Sequence, residues 1–130
     1  MIFLNNYLIQ LKHFNFFLSL FCFHLGHTQA PSTIIGKSIK IQNLEIAEHD
    51  FKNRMNWDDA SKACEILGNG WRLPTKDELN FIFQNQSKIG KFTIYYYWTG
   101  LESDDGYGAW FQGFVLGTQA YTIKSTTNYV

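Results

Sequence analysis

The chain has 130 residues, enough for one domain, and 45% of them are hydrophobic, as is typical of a folded globular protein. Lysine and arginine together number 11, and so do aspartate and glutamate, which gives a formal net charge of zero. This balance argues against a nucleic-acid-binding protein and against electrostatic attachment to anionic membranes, because both need an excess of positive charge.

The first 30 residues differ in composition from the rest of the chain. Lys12 is their only charged residue, and an apolar run follows over residues 14–25. The run is too short for a transmembrane helix, which needs about 20 residues, and it leads to Ala30, a small residue suited to signal-peptide cleavage. We therefore predict a signal peptide over residues 1–30, a single domain over residues 31–130, and a secreted or cell-surface location. The alternatives are an uncleaved membrane anchor and a wrongly assigned start codon.

A small hairpin and a first helix are predicted next. Hydrophobic residues alternate over residues 38–47 with a break at Gln42-Asn43, which is typical of two short strands and a turn. Asn56 is a good N-cap, because its side-chain oxygen can accept a backbone N–H of the first helical turn. Gly68-Asn69-Gly70 then predicts the end of the helix and a sharp reversal. The apolar residues of this helix fall on one face: Trp57, Ala60, Ala63, Cys64 and Leu67.

A second helix is predicted after the segment WRLP. Thr75 and Glu78 have the spacing of a capping box, in which each side chain binds the other residue's backbone N–H. Trp71 and Leu73 lie on the same side of an extended segment, so both are predicted to enter the core. Arg72 would then point the other way and donate hydrogen bonds to carbonyl oxygens.

The last third of the chain is predicted to form an antiparallel meander. Aromatic and β-branched residues indicate strands over residues 92–99, 109–114 and 119–124, with a loop over residues 102–108 and a final strand that begins at Tyr129. Trp98 and Trp110 are predicted to face each other in the core.

Four segments of the chain together resemble a known family. They are NWDDASKAC at residues 56–64, GNGWRLPTKDEL at residues 68–79, YYWTG at residues 96–100 and AWFQGF at residues 109–114. The pattern resembles the Lcl-type C-terminal domain family, a bacterial module typified by the tail of a collagen-like surface adhesin. The family's usual Arg-Cys-Val-Arg-like ending is missing, so the last strand is expected to be incomplete.

The resemblance implies a C-type lectin-like fold of class α+β, with two helices packed on a small twisted antiparallel sheet. It also implies a non-catalytic adhesion module that binds a glycan, for example a sulfated one, or a protein, in the form of an oligomer such as a homotrimer. The sulfated ligand is not carried over to this chain, because residues 31–130 contain 10 basic and 11 acidic residues. One alternative is a structural or truncated domain of a surface assembly. Another is an enzyme like the distantly related formylglycine-generating enzymes, but these need paired cysteines that bind copper. Cys64 is the only cysteine after residue 30, so we predict neither enzymatic activity nor a cofactor.

The strand-connecting loops are the predicted binding site, because the helices are occupied by capping and packing. The carboxylates there offer ligands to Ca²⁺, but their spacing is not that of an EF-hand, so no metal site is predicted. Carboxylate acceptors beside an aromatic ring suit a sugar or a peptide. The predicted binding residues are Glu102, Asp104, Asp105 and Tyr107, with Tyr121 and Lys124 nearby.

Overall fold

A computed structural model describes residues 36–90 and 92–130. A two-stranded antiparallel sheet comes first, a helical region follows, and a three-stranded antiparallel sheet in the order β3-β4-β5 completes the fold. The described chain is therefore α+β, as predicted, whereas the predicted signal peptide lies outside the described residues. The elements are β1 Ile39–Ile41, β2 Leu44–Ile46, α1 Trp57–Ile66, α2 Lys76–Gln84, α3 Gln86–Ile89, β3 Tyr96–Glu102, β4 Gly108–Gly113 and β5 Gln119–Ile123.

Both predicted helix starts are confirmed. The side-chain oxygen of Asn56 accepts the backbone N–H of Asp59 at 2.9 Å. Thr75 Oγ1 accepts the N–H of Glu78 at 3.2 Å, and Glu78 Oε2 accepts the N–H of Thr75 at 2.7 Å. These bonds satisfy N–H groups that the first turn of a helix leaves without partners, which fixes where α1 and α2 begin. The predicted hairpin is also confirmed, with Gln42 at its turn in a positive-φ conformation.

A short helix, α3, follows α2 and is not among the predicted elements. Ile89 is 5% exposed and packs in a cluster with Leu79 and Ile82 of α2. Asn85 connects the two helices, because its side chain and its backbone N–H both donate to the carbonyl of Phe81. One buried residue in an otherwise polar stretch gives no helical period, so the sequence pattern does not show this element.

The hydrophobic core consists of two clusters, one on each face of strand β3, and each cluster contains residues of a different helix. Trp98 packs in one cluster with Ala60 and Cys64 of α1. Its neighbour Tyr97 packs in a second cluster with residues of α2 that include Leu79. Since successive side chains of a strand point to opposite faces, α1 and α2 cover opposite faces of the three-stranded sheet.

Trp110 does not face Trp98, so that prediction was wrong. Trp98 pairs with Phe111 across β3 and β4, and the register shifts between Trp98 and Glu102. A change of one residue in register moves a side chain to the other face of the sheet. Trp110 is instead half-buried on the face that carries Tyr97, with the Nζ of Lys76 3.2 Å from its ring centroid.

Residues 128–130 do not form a regular strand but hydrogen-bond to two other parts of the structure. Asn128 and Met55 exchange backbone hydrogen bonds of 2.9 and 3.0 Å, and Tyr129 forms a parallel bridge with Tyr97. The carbonyl of Val130 accepts the N–H of Phe51 at 3.1 Å, and the Val130 side chain is buried. This segment joins the outer edge of β3 to the loop that precedes α1.

Candidate functional site

The turn between β3 and β4 is held by side-chain hydrogen bonds. Asp105 Oδ1 accepts the hydroxyl of Ser103 and the N–H of Tyr107, the latter at 3.0 Å. Ser103 is buried, and its Oγ accepts the N–H of Gly108 at 2.8 Å. The bond from the Ser103 hydroxyl, followed by that from the Tyr107 N–H, lowers the pKa of Asp105 below its ordinary value. Asp105 was predicted to bind a ligand, and the structure places its carboxylate in the framework of the turn.

Tyr107 and Asp104 are exposed at the tip of this turn. The Tyr107 side chain is 80% exposed, while its backbone carbonyl accepts the N–H of Lys124 at 3.2 Å. The backbone of Tyr107 is therefore fixed at both its N–H and its carbonyl, although its ring faces solvent. Such a residue offers the contact area of its ring on a backbone that is already ordered before a ligand arrives.

Glu102 and Lys124 lie beside the turn and form an ion pair. Lys124 Nζ is 2.8 Å from Glu102 Oε2 and 4.8 Å from the ring centroid of Trp57, the first residue of α1. The backbone N–H of Trp57 donates to the carbonyl of Lys124 at 3.0 Å. The structure thus brings the end of β3 and the end of β5 together with the start of α1.

An open pocket of about 480 Å³ lies at this junction. Tyr107 and Lys124 were predicted as binding residues and line it, whereas Asn56 was predicted only as an N-cap and Asp58 was not predicted as a binding residue. Their position beside Tyr107 depends on the contact between α1 and Lys124, for which the sequence gives no local signal. The lining residues are Asn56, Asp58, Tyr107, Ile123, Lys124 and Ser125.

Tyr121 belongs to a second surface, on the outer strand β5. Its ring centroid is 5.4 Å from that of Trp110, and the side chain is 59% exposed. Lys76 covers the Trp110 ring, and the backbone carbonyl of Lys76 accepts a hydrogen bond from the Gln119 side chain at 2.8 Å. Tyr121, one of the six predicted binding residues, therefore packs against Trp110 on this second surface.

A larger cleft of about 620 Å³ lies at the start of α2, with Arg72 and Lys76 in its lining. The guanidinium of Arg72 donates two hydrogen bonds of 2.8 and 2.9 Å to the carboxylate of Glu78. It also donates to the carbonyl of Leu73 at 3.0 Å, which confirms the predicted structural role. Burial alone would raise the pKa of Glu78, but the bonds from Arg72 and the Thr75 N–H outweigh it and lower that pKa. The charge of Arg72 is therefore neutralised within the fold.

Metal binding and thiol chemistry each need particular side chains in particular surroundings. Within residues 36–90 and 92–130, no group of three or more His, Cys, Asp or Glu side chains is arranged to hold a metal ion. Cys64 is fully buried and forms no disulfide, and burial is the main cause that raises the pKa of its thiol. A buried neutral thiol is a poor nucleophile, because the thiolate is the reactive form.

No helix among the described residues is long and apolar enough to span a membrane. No protein-family model matches the chain, and a search of curated proteins found no match. What the protein binds is therefore inferred from its own residues.

Proposed function

We propose that the protein is a secreted or surface-displayed, non-catalytic module that binds a glycan beside Tyr107. In this proposal the α+β fold is C-type lectin-like and belongs to the Lcl-type C-terminal domain family. The observation that carries the proposal is the solvent-facing ring of Tyr107 on a turn fixed by Asp105 and Ser103. We call the Tyr107 surface the patch formed by Asn56, Asp58, Glu102, Tyr107 and Lys124.

The chemistry of the Tyr107 surface suits a sugar. An aromatic ring offers a flat apolar face on which the C–H face of a pyranose can stack. Asp58 and Glu102 offer acceptors to sugar hydroxyls, and the Lys124 ammonium offers donors. Because the turn is held by its own hydrogen bonds, binding costs little ordering of the backbone.

The charges of the Tyr107 surface favour a neutral glycan over a sulfated one. Lys124 is the only basic residue among those that form the surface, and its ammonium is paired with Glu102 at 2.8 Å. Asp58 also lines the pocket and adds negative charge. A sulfate group would meet the two carboxylates of Asp58 and Glu102 beside the single ammonium, so retention on heparin at physiological salt is expected to be weak.

A glycan array tests the proposal with wild type, Tyr107→Ala and the matched control Tyr96→Ala. Tyr96 is also exposed, at 54%, but it lies on β3 against Phe111. Tyr107→Ala should lose binding to every glycan that wild type retains, while Tyr96→Ala should keep it, and both should have wild-type circular dichroism. Undiminished binding by Tyr107→Ala would contradict the site. An array without hits for the folded wild type would favour a structural domain of a surface assembly.

A further inference from the structure

Strand β5 lies at the edge of the three-stranded sheet, and its hydrogen-bonding phase identifies which backbone groups point outward. Ala120 pairs with Phe111 and Thr122 pairs with Ala109. Two flanking hydrogen bonds show which residues of β5 bond to β4. The Gly113 N–H donates to the Thr118 carbonyl, and the Lys124 N–H donates to the Tyr107 carbonyl. Residues of even number in β5 therefore bond to β4, and the backbone groups of the odd-numbered ones point away from it.

The outward groups belong to Gln119, Tyr121 and Ile123. In the part of the chain that the structure describes, no strand pairs with them, since the sheet order ends at β5. The side chains of Tyr121 and Ile123 are 59% and 63% exposed. The strand sequence QAYTI contains neither proline nor a charged residue, which are two of the features with which proteins prevent pairing at a sheet edge.

We infer that β5 pairs with the β5 strand of a second copy of this chain, in antiparallel orientation about a two-fold axis at Tyr121. In this register Tyr121 lies opposite itself and Gln119 lies opposite Ile123. Each of these is a pair of outward-pointing residues, so each exchanges both main-chain hydrogen bonds. The carbonyl of Ile123 already accepts the N–H of Thr126 at 3.0 Å and retains a second lone pair for this bond.

The side chains of β5 also match those of a second copy. Tyr121 stacks beside Trp110 on one face of the sheet, with ring centroids 5.4 Å apart. Pairing about the axis places the two Tyr121 rings side by side, which forms a continuous row of four aromatic rings across both copies. Directly opposed aromatic residues stabilise antiparallel strand pairs relative to alanine pairs.

Charge favours a second copy over a charged peptide as the occupant of this edge. An uncharged strand provides no group that would select an acidic or a basic partner. The whole chain has a formal net charge of zero, so two copies do not repel each other as they approach. An isologous contact of this kind closes after two copies and does not propagate. The inference does not rest on the glycan proposal, because it uses the outer edge of β5, which shares only Ile123 with the lining of the pocket beside Tyr107.

Sedimentation velocity of the full-length chain over a concentration series tests the dimer. Wild type should shift from monomer to dimer as its concentration rises. Tyr121→Lys and Tyr121→Glu should each remain monomeric, because like charges would oppose each other at the axis. An equimolar mixture of these two variants should dimerise again, because the opposed charges are then complementary. The control Ile94→Lys adds the same charge at a residue 71% exposed before β3 and should dimerise like wild type.

Circular dichroism of each variant confirms that it is folded. If Tyr121→Lys does not fold, Ile123→Pro replaces it, because it removes one outward N–H and leaves the bonds to β4 intact; it should be monomeric. A wild type that stays monomeric at every concentration would overturn the inference, and so would one that forms the homotrimer which the family resemblance implies. So would a dimer that persists in the folded Tyr121→Lys or Ile123→Pro variant. A mixture of folded charge variants that stays monomeric would overturn the proposed axis.

Discussion

The replacement Tyr97→Phe should destabilise the protein although it removes a single oxygen atom. Tyr97 is 1% exposed, and its hydroxyl donates to Asp50 Oδ2 at 3.0 Å. The same oxygen accepts the backbone N–H of Thr93 at 3.0 Å and contacts Thr93 Oγ1 at 2.8 Å. Because the hydroxyl proton is given to Asp50, the Thr93 hydroxyl is the donor in that contact. One atom thus joins the segment before β3 to the loop before α1.

The size of the stability loss follows from the hydrogen-bonding groups that Tyr97→Phe leaves without the tyrosine hydroxyl. A hydrogen bond to a charged group contributes about 1.5–3 kcal/mol, and a buried donor that loses its partner costs about 1–3 kcal/mol. Asp50 and Thr93 are only partly buried, so water can replace some of the lost bonds. The expected loss in the free energy of unfolding is therefore about 2 kcal/mol, which raises the unfolded fraction roughly thirtyfold.

Urea denaturation, followed by intrinsic fluorescence, measures this loss. The matched control is Tyr96→Phe, since Tyr96 is the neighbouring tyrosine and is 54% exposed. It should change the free energy of unfolding by less than about 0.5 kcal/mol. A loss below that value for Tyr97→Phe as well would show that its hydroxyl does not stabilise the fold.

Three further predictions follow from burial, backbone conformation and ionisation. Burial raises the pKa of the Cys64 thiol, so a thiol reagent should label Cys64 only after unfolding; labelling of the native protein as fast as that of the urea-unfolded chain would contradict this. Gly106 and Gly117 share a φ of 73°, but an added Cβ meets nothing within 4 Å at Gly106, whereas at Gly117 it lies 2.5 Å from the Phe83 ring. In urea denaturation, Gly106→Ala should cost about 1–2 kcal/mol and Gly117→Ala clearly more, and equal costs would refute the clash. Burial acts to raise the pKa of Glu78, but hydrogen bonds to its carboxylate outweigh this effect and lower that pKa below its ordinary value of 4.5. The resulting stabilisation is complete above pH 4.5 and is lost as the pH falls through the folded-state pKa, so Glu78→Gln should flatten the fall of stability in acid; an equally steep fall would contradict it.

The sequence predicts best those features that depend on residues close together in the chain. The caps at Asn56 and Thr75 need partners only three residues away, and both helices begin where these residues indicate. The position of Trp110 depends on how β3 pairs with β4, where Phe111 and not Trp110 lies opposite Trp98. Strand register is set by contacts across the whole sheet, so alternation within one strand cannot determine which of two tryptophans it faces.

In the candidate site, too, local features could be predicted from the sequence and long-range contacts could not. The spacing of Asp105 and Tyr107 is that of a turn in which a carboxylate accepts the N–H two residues on, so the framework role of Asp105 was present in the sequence as a local signal. The ion pair between Glu102 and Lys124 depends on how β3 and β5 pair with β4, and the approach of Asp58 to Tyr107 depends on how the start of α1 docks beside Lys124. No local pattern encodes that docking.

The closing segment at residues 128–130 also determines when the protein can fold during its synthesis. Val130 packs in the same cluster as Trp98, and Asn128 hydrogen-bonds to Met55, more than half of the described sequence earlier. The half of the core beneath α1 is therefore incomplete on the ribosome until these residues have left the exit tunnel. The nascent chain exposes the Trp98 face of β3 until then, and during this interval it is most vulnerable to aggregation and most dependent on chaperones.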